Sequence, residues 1–368
     1  LMGDGPRYMR AMVAVLGFAV ILGLVKLIRP RHKETKEPGE QQLLIAKDIC
    51  SRSLHSISNL VLLGDKELLL NDSNSSFIMF TREAQNWVTL GDPVGPANEA
   101  EELIWEFYDE CSSQGYSPIF YQVGEKYLEE YVDLGLTLYK LGEEAHISLS
   151  GFDPEKSIHN KVWSGYQELE QKEYSFEIIP TESVASYLSE LKAISDISLR
   201  AKNKKERGFS VGYYDEGYLS QFPIAVVKKG ENMLAFANIL QGAGKYELAT
   251  DLLRYRPESP AGIIDYMLIH TMLWGKKEGF KWFNLGMAPL SGMDEHDFSP
   301  GWNKLADFVY TYGENIYGFK KVRRYKGQFN PTWKPKFLVG PGGWSMPRAL
   351  SNITNIVSGG FDSIMTKK

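Results

Sequence analysis

A charged pair interrupts an otherwise apolar stretch at Ala249-Thr250-Asp251-Leu252-Leu253-Arg254-Tyr255. The stretch reads as a strand that delivers side chains to a cleft ahead of the next helix, so Asp251 and Arg254 are the first candidates for chemistry. A carboxylate there can face an α-ammonium or an attacking hydroxyl, and a guanidinium can face oxyanion charge or a phosphate. The plain alternative is an ion pair at a strand end. Asp265, on the helix that follows, fits an acid favoured by the dipole of a first helical turn. Gly242-Ala243-Gly244-Lys245 lacks the spacing and the Ser or Thr of a phosphate loop and reads as a hairpin turn.

Charge is distributed unevenly. The chain has 368 residues and a net charge of −5, which argues against a protein that coats nucleic acid. Acids crowd between Glu99 and Glu144, whereas Lys320, Lys321, Arg323, Arg324, Lys326, Lys334 and Lys336 occur between Gly318 and Lys336 with no acid among them. A second basic run, Arg200, Lys202, Lys204, Lys205 and Arg207, carries one acid, Glu206. A single run of this kind is usually a solvated face. Two of them make an anionic partner worth considering, the phosphate of a lipid headgroup or of RNA. The rings of Phe319, Tyr325, Phe329, Trp333 and Phe337 beside the C-terminal run suit an interfacial or phosphate-binding surface, against an ordinary packed strand pair with a basic edge. Cys50 and Cys111 are too few and too far apart for a disulfide framework and read as buried small hydrophobes in a reducing compartment. The six histidines show no ligand spacing, so no metal is implied.

The elements that must position these residues follow from periodicity. Ala11 to Val25 is uncharged and, lengthened by Leu27 and Ile28, reads as a membrane helix with a basic flank through Lys33, which places the rest of the chain in the cytoplasm. A chain opening on Leu1 is expected to continue from something longer with further spans. The division expected is a transmembrane helix and flank at 1–32, a linker at 33–42, a first α/β unit at 43–155, a second at 156–345, and a C-terminal helix and tail at 346–368. LVLLGDKELLL and SSFIMFTREAQNWVTL look like strands, as do IAVVKK, MLAFANIL and YELATDLLRY in the second unit. Helices are expected near Ala97 to Gln114 and Ile263 to Lys277. Each is followed by glycine, an aromatic residue and a strand, and Trp87-x-x-Leu90-Gly91-x-Pro93 echoes Trp282-x-x-Leu285-Gly286-x-x-Pro289, so the unit reads as duplicated. Leu350, Ile353, Ile356 and Val357 have helical spacing that suits packing on the core better than grazing a bilayer.

Strands leading through a turn into a helix and a further strand describe an acyltransferase of the GNAT type. In such enzymes the loop before the helix holds a pyrophosphate on backbone N–H groups. Here that loop is Arg256-Pro257-Glu258-Ser259-Pro260-Ala261-Gly262, whose prolines lack donors and whose Glu258 repels phosphate, so coenzyme A is disfavoured and no cofactor is implied.

LGDPVG (Leu90 to Gly95), KLGEEA (Lys140 to Ala145), ERGFSVG (Glu206 to Gly212), AFANI (Ala235 to Ile239), DLLRY (Asp251 to Tyr255), FNLGMAPLSG (Phe283 to Gly292) and the stretch from Lys326 to Lys336 resemble, in order, the synthase domain of the multiple peptide resistance factor family, the aminoacyl-phosphatidylglycerol synthases. The resemblance runs from about Leu43 to Gly360. It implies tandem GNAT-like domains, α/β (α+β) in class, attached to the end of a multi-span membrane domain. It also implies transfer of lysine or alanine from aminoacyl-tRNA to the glycerol headgroup of phosphatidylglycerol, which blunts cationic antimicrobial peptides. The motif carries a catalytic role onto Asp251 and Arg254. Lys205, Glu206 and Arg207 of a shared motif, Asn284 of FNLGMAPLSG, and Lys320, Arg324 and Lys326 of the basic segment become candidate substrate-binding residues. Glu247 joins them as an acid that could meet the second ammonium of lysine. An aminoacyl ester is already activated, so transfer needs mainly positioning and oxyanion stabilisation, with no covalent nucleophile.

The expectation is therefore a membrane-anchored bacterial aminoacyltransferase whose partners are aminoacyl-tRNA, phosphatidylglycerol and the membrane, with a homo-oligomer among the states open to it. A peptidoglycan-branching aminoacyl-tRNA-dependent transferase and a noncatalytic lipid-binding module are the alternatives.

Overall fold

The computed structural model describes residues 36–201, 206, 208–292, 314–343 and 346–358. The expected membrane helix, residues 33–35 of the linker after it, and Lys205 and Arg207 lie outside them. Among the described residues, no helix is long and apolar enough to cross a membrane.

The strands, in chain order, are β1 (Glu67–Leu70), β2 (Phe77–Glu83), β3 (Asn86–Leu90), β4 (Ser117–Val123), β5 (Thr137–Ser148), β6 (Tyr174–Ile179), β7 (Ile224–Lys229), β8 (Asn232–Gln241), β9 (Glu247–Tyr255), β10 (Trp282–Pro289) and β11 (Thr332–Gly340). They form a single sheet in the order β1-β2-β3-β4-β11-β5-β10-β9-β8-β7-β6. The longer helices among the described residues are α1 (Glu40–Arg52), α2 (Ala100–Ser113), α3 (Asn160–Gln171), α4 (Leu188–Ala201), α5 (Ile263–Glu278), α6 (Glu314–Gly327) and α7 (Met346–Ser358). The class is mixed α/β, as expected.

Two parallel strand pairs organise the sheet. β3 pairs with β4, and β9 with β10. A parallel pair needs a crossover, and α2 and α5 supply them. Each crossover ends on a glycine in the left-handed region, Gly115 (φ 77°) and Gly279 (φ 87°), where a side chain would be strained. The echo in the sequence is thus a repeated strand, helix and strand. Between the two repeats the chain crosses over: β5 runs on to pair with β10, and β11 returns to lie between β4 and β5.

Alternation along the strands divides the core. Phe77, Met79, Ile119, Tyr121 and Leu338 pack with α1, α7 and the 3₁₀ segment Ser56–Leu63, whereas Ile78, Phe80, Phe120 and Val339 pack with α2. Farther along, Ala225, Val227, Ala235 and Ala237 meet α3 and α5, and Ile224, Val226 and Phe236 meet α4. Met346, Ala349, Leu350 and Ile353 bury the apolar stripe of α7 in the first of these clusters, so this helix packs on the core as its spacing predicts.

Two local expectations change. Of the run Leu60–Leu70 read as strand, Glu67–Leu70 is β1 but Leu60–Leu63 ends the 3₁₀ helix Ser56–Leu63, a case where periodicity alone cannot arbitrate a short buried run. The basic segment from Tyr317 to Lys326, set against a packed strand pair, lies on α6, and only β11 after it is extended. The hairpin expected at Gly242 to Lys245 is found, closing β8 onto β9 around a short 3₁₀ turn.

Candidate active site

β9 and β10 run parallel for three register pairs, Trp282 with Glu247, Phe283 with Leu248, and Asn284 with Ala249, and then part. Each strand is bulged at the fork. On β9 the register against β8 steps from Thr250–Ile239 to Leu253–Ala237, so Asp251 and Leu252 together oppose Asn238. The Asn238 side chain accepts the Leu252 N–H at 2.8 Å and secures the extra residue. On β10 the register against β5 slips between Asn284 and Met287, and Gly286 takes φ 79° while its N–H donates to Asn284 Oδ1 at 2.7 Å.

The β9 bulge decides the site. In a regular strand, residues three apart point to opposite faces. A bulge adds one residue and restores the pair to a common face. Asp251 accordingly meets Tyr218 and the Ser210–Tyr213 loop, and Arg254 meets α4, all on the face that carries α1 and α4. Asp251 accepts the Gly212 N–H at 2.8 Å and the Tyr218 hydroxyl at 2.8 Å. Burial pushes its carboxyl above the ordinary value, against the opposing pull of those two donors, Lys66 and Arg254. Arg254 donates from Nη2 to Glu206 at 2.6 Å and from Nε to Ser195 at 3.3 Å. The pair expected from DLLRY is brought together, and Glu206 joins it. Tyr218 and Lys66 were not expected.

Lys66 is fully buried beneath the site. Its Nζ donates to the Leu60 carbonyl at 3.0 Å and to Asp65 at 2.5 Å, and Asp65 in turn accepts the Phe209 N–H at 3.0 Å. Burial lowers the Lys66 pKa, while Asp65 and Asp251 resist the shift. The only trace of this in the sequence is a lysine opening an apolar strand, which is ordinary at a strand end.

Gly212 explains its own motif. A Cβ there would collide with the Asp251 carboxylate and press on the Tyr218 ring. Gly212→Ala should therefore move the loop and break the 2.8 Å hydrogen bond, lowering turnover by roughly tenfold or more through misplacement. The check is steady-state kinetics beside a thermal melt, which should change little.

A cleft of ≈ 330 Å³ lies nearby on the same face. Its walls include His55, Asp92, Glu144, Glu247, Asn284 and Lys336. Two predicted substrate-binding residues, Glu247 and Asn284, thus share one cavity, with Glu144 and Lys336 added by β5 and β11. Burial works against ionisation of Glu144, yet Lys336, His146 and Asn284 hold its carboxyl well below the usual range. Glu247 is also lowered: burial opposes, while His55, Ser56 and His146 prevail. Asp92 of the LGDPVG motif is raised by burial, although it accepts the Gly124 N–H at 3.0 Å.

The remaining candidates are more dispersed. Lys326 is held down to about 8 by burial, with Glu144 opposing, and donates to the Met287 carbonyl at 2.8 Å. Lys320 and Arg324 stand exposed on α6. Asp265 is engaged by the Tyr325 hydroxyl at 2.7 Å. Cys50 and Cys111 are buried, and burial pushes both thiols up to about 12, which removes them as nucleophiles. Among the described residues no group of His, Cys, Asp and Glu could hold a metal ion.

Residues 49–340 match the model of the family described as phosphatidylglycerol lysyltransferase, C-terminal. A phosphatidylglycerol lysyltransferase of Staphylococcus aureus is 34% identical over 302 residues, which cover 82% of this chain and 36% of the relative, so the chain spans about a third of that protein's length. Among solved structures, the C-terminal domain of an Agrobacterium fabrum protein described as a lysylphosphatidylglycerol synthetase superposes with a TM-score of 0.79 at 30% identity, covering 88% of this chain and 98% of the other. L-PGS of Bacillus licheniformis gives 0.78 at 31% identity, covering 89% and 98%.

Proposed function

From a chain that belongs to the phosphatidylglycerol lysyltransferase family, we propose that this protein transfers a lysyl group from aminoacyl-tRNA to the glycerol headgroup of phosphatidylglycerol, at the fork between β9 and β10. The observation that carries the reading is the bulge that sets Asp251 and Arg254 on one face, with the carboxylate held by Gly212 and Tyr218.

The chemistry follows from these groups. The headgroup hydroxyl attacks the ester carbonyl carbon, and its proton passes to Asp251, whose raised pKa makes it a better acceptor than an ordinary aspartate. The negative charge that develops on the carbonyl oxygen faces Arg254. The bond from carbonyl carbon to tRNA ribose oxygen then breaks, and that oxygen takes the proton from Asp251. One ester replaces another, so binding geometry supplies most of the acceleration.

The two halves at 43–155 and 156–345 are read as GNAT-like repeats, in keeping with the paired strand, helix and strand units. The apolar segment at 11–28 is read as the membrane anchor of a bacterial enzyme whose catalytic part faces the cytoplasm. The exposed bases of α6 suit RNA or lipid phosphate.

The test supplies the protein with lysyl-tRNA and phosphatidylglycerol vesicles and analyses the extracted lipid by mass. Lysyl-phosphatidylglycerol is the expected product. Transfer only to a peptidoglycan precursor would instead establish the branching transferase, and no transfer to either acceptor would leave a lipid-binding module.

A further inference from the structure

On the face of β8 that carries α1 and α4, Asn238 stands between Phe236 and Leu240, and Ile224 of β7 lies directly across from it. These three neighbours are buried apolar residues, and Asn238 itself is 0% exposed. An amide in such a place is costly unless both of its ends are used.

One end is accounted for. Oδ1 accepts the Leu252 N–H at 2.8 Å, and because a backbone N–H can only donate, that contact fixes which way round the amide sits. Nδ2 is therefore the other end, a donor with two hydrogens, buried and without an aligned hydrogen-bond partner in the resting structure. It acts on the Tyr218 hydroxyl. Burial and the neighbouring Asp251 push that phenol well above its ordinary range, and Asn238 pulls the other way.

Tyr218 is itself held firmly. It is 1% exposed, its N–H donates to Asp215 at 2.7 Å, and its ring packs edge-on against Phe222 at 5.0 Å. What the packing leaves undecided is the direction of the hydroxyl hydrogen. A phenol oxygen has one hydrogen to give and lone pairs with which to accept. A donor on one side of it leaves the hydrogen the other side, where Asp251 Oδ2 lies at 2.8 Å.

We infer that Asn238 is a positioning residue for the proposed transfer, acting through Tyr218: Oδ1 fixes the β9 bulge that brings Asp251 and Arg254 to one face, and Nδ2 confines the Tyr218 hydroxyl to donating toward Asp251. The inference rests on Asp251 as the proton acceptor. With Tyr218 on Oδ2 and the Gly212 N–H on Oδ1, the carboxylate is favoured in its ionised form and keeps its orientation, and its remaining lone pairs are left for the attacking hydroxyl. Aspartate at this position would offer two acceptors and leucine neither end, so the amide is what serves both contacts in this shape.

The experiment is a double-mutant cycle between Asn238 and Tyr218, read in lysyl transfer from lysyl-tRNA to phosphatidylglycerol vesicles by the full chain. Asn238→Asp retains an acceptor for the Leu252 N–H and removes the donor toward Tyr218. It should lower kcat roughly tenfold with KM within about twofold, and move the acid limb of the pH profile upward, because Tyr218 no longer holds down the Asp251 pKa. In the Tyr218→Phe background the same substitution should cost about twofold or less and leave the limb where Tyr218→Phe alone puts it. A limb that moves equally in both backgrounds means that the new carboxylate acts on Asp251 directly and overturns the proposal, as does wild-type kcat in Asn238→Asp. Should Asn238→Asp fail to fold, Asn238→Ala run through the same cycle carries the test: a smaller loss in the Tyr218→Phe background supports the proposal, and losses of equal size overturn it. Wild-type turnover is read in the same assay, so a protein that makes no lipid product at all is told apart from one that turns over without this coupling.

Discussion

Asp251→Asn should lower lysyl transfer by about a hundredfold to ten-thousandfold while the protein melts within a few degrees of the wild type. The loss is the contribution of a positioned proton acceptor. Stability survives because the ionised carboxylate is a liability in the fold: burial raises its pKa, so at neutral pH the native state bears the cost of a desolvated charge. The sign is that of a raised carboxyl, whose cost is fully present above the folded pKa and is relieved as pH falls through it. Asparagine removes the charge and can still accept the Gly212 N–H. Single-turnover transfer and a thermal melt on the same preparation check both halves. Wild-type transfer by this variant would remove Asp251 from the mechanism.

Lys66→Met should destabilise the protein by about 3 kcal/mol, toward the low end for a broken buried pair, since Asp65 keeps a 19% exposed side chain and the Phe209 N–H. Chemical denaturation measures this directly. A second effect is expected in the pH profile. Lys66 favours the charged form of Asp251, so without it the carboxyl holds its proton to higher pH, and the acid limb of kcat/KM moves upward. A purely structural lysine would lower stability without moving that limb.

Much of the arrangement can be read from residue order, but the decisive geometry cannot. The strands of the second half, the crossover helices and the glycines that end them are legible because each is a local pattern. Asp251 and Arg254 stood out as charges in an apolar run. What put them on one face is a bulge whose signal is a single asparagine, Asn238, on the neighbouring strand. An asparagine inside a strand pattern has many other uses. The cleft was half visible: Glu247 and Asn284 could be named, whereas Glu144, His146 and Lys336 meet them only because β5 and β11 are laid side by side from segments nearly two hundred residues apart. Alternation shows that Glu144 and His146 share a face, and nothing local says which strands will flank them. Leu60–Leu63 departed from its strand reading for another reason, since a short continuous apolar run fits a buried strand and a buried turn equally well.

The crossing of β5 and β11 bears on how this protein can be taken apart. A chain cut between Ser148 and Asn160 yields an N-terminal fragment carrying the strand that borders β10 and a C-terminal fragment carrying the one that borders β4. Each piece then exposes long open edges where the other should hydrogen-bond, which favours aggregation over independent folding. The strand, helix and strand units repeat in their order along the chain, yet each segment carries a strand that completes the sheet beside the other.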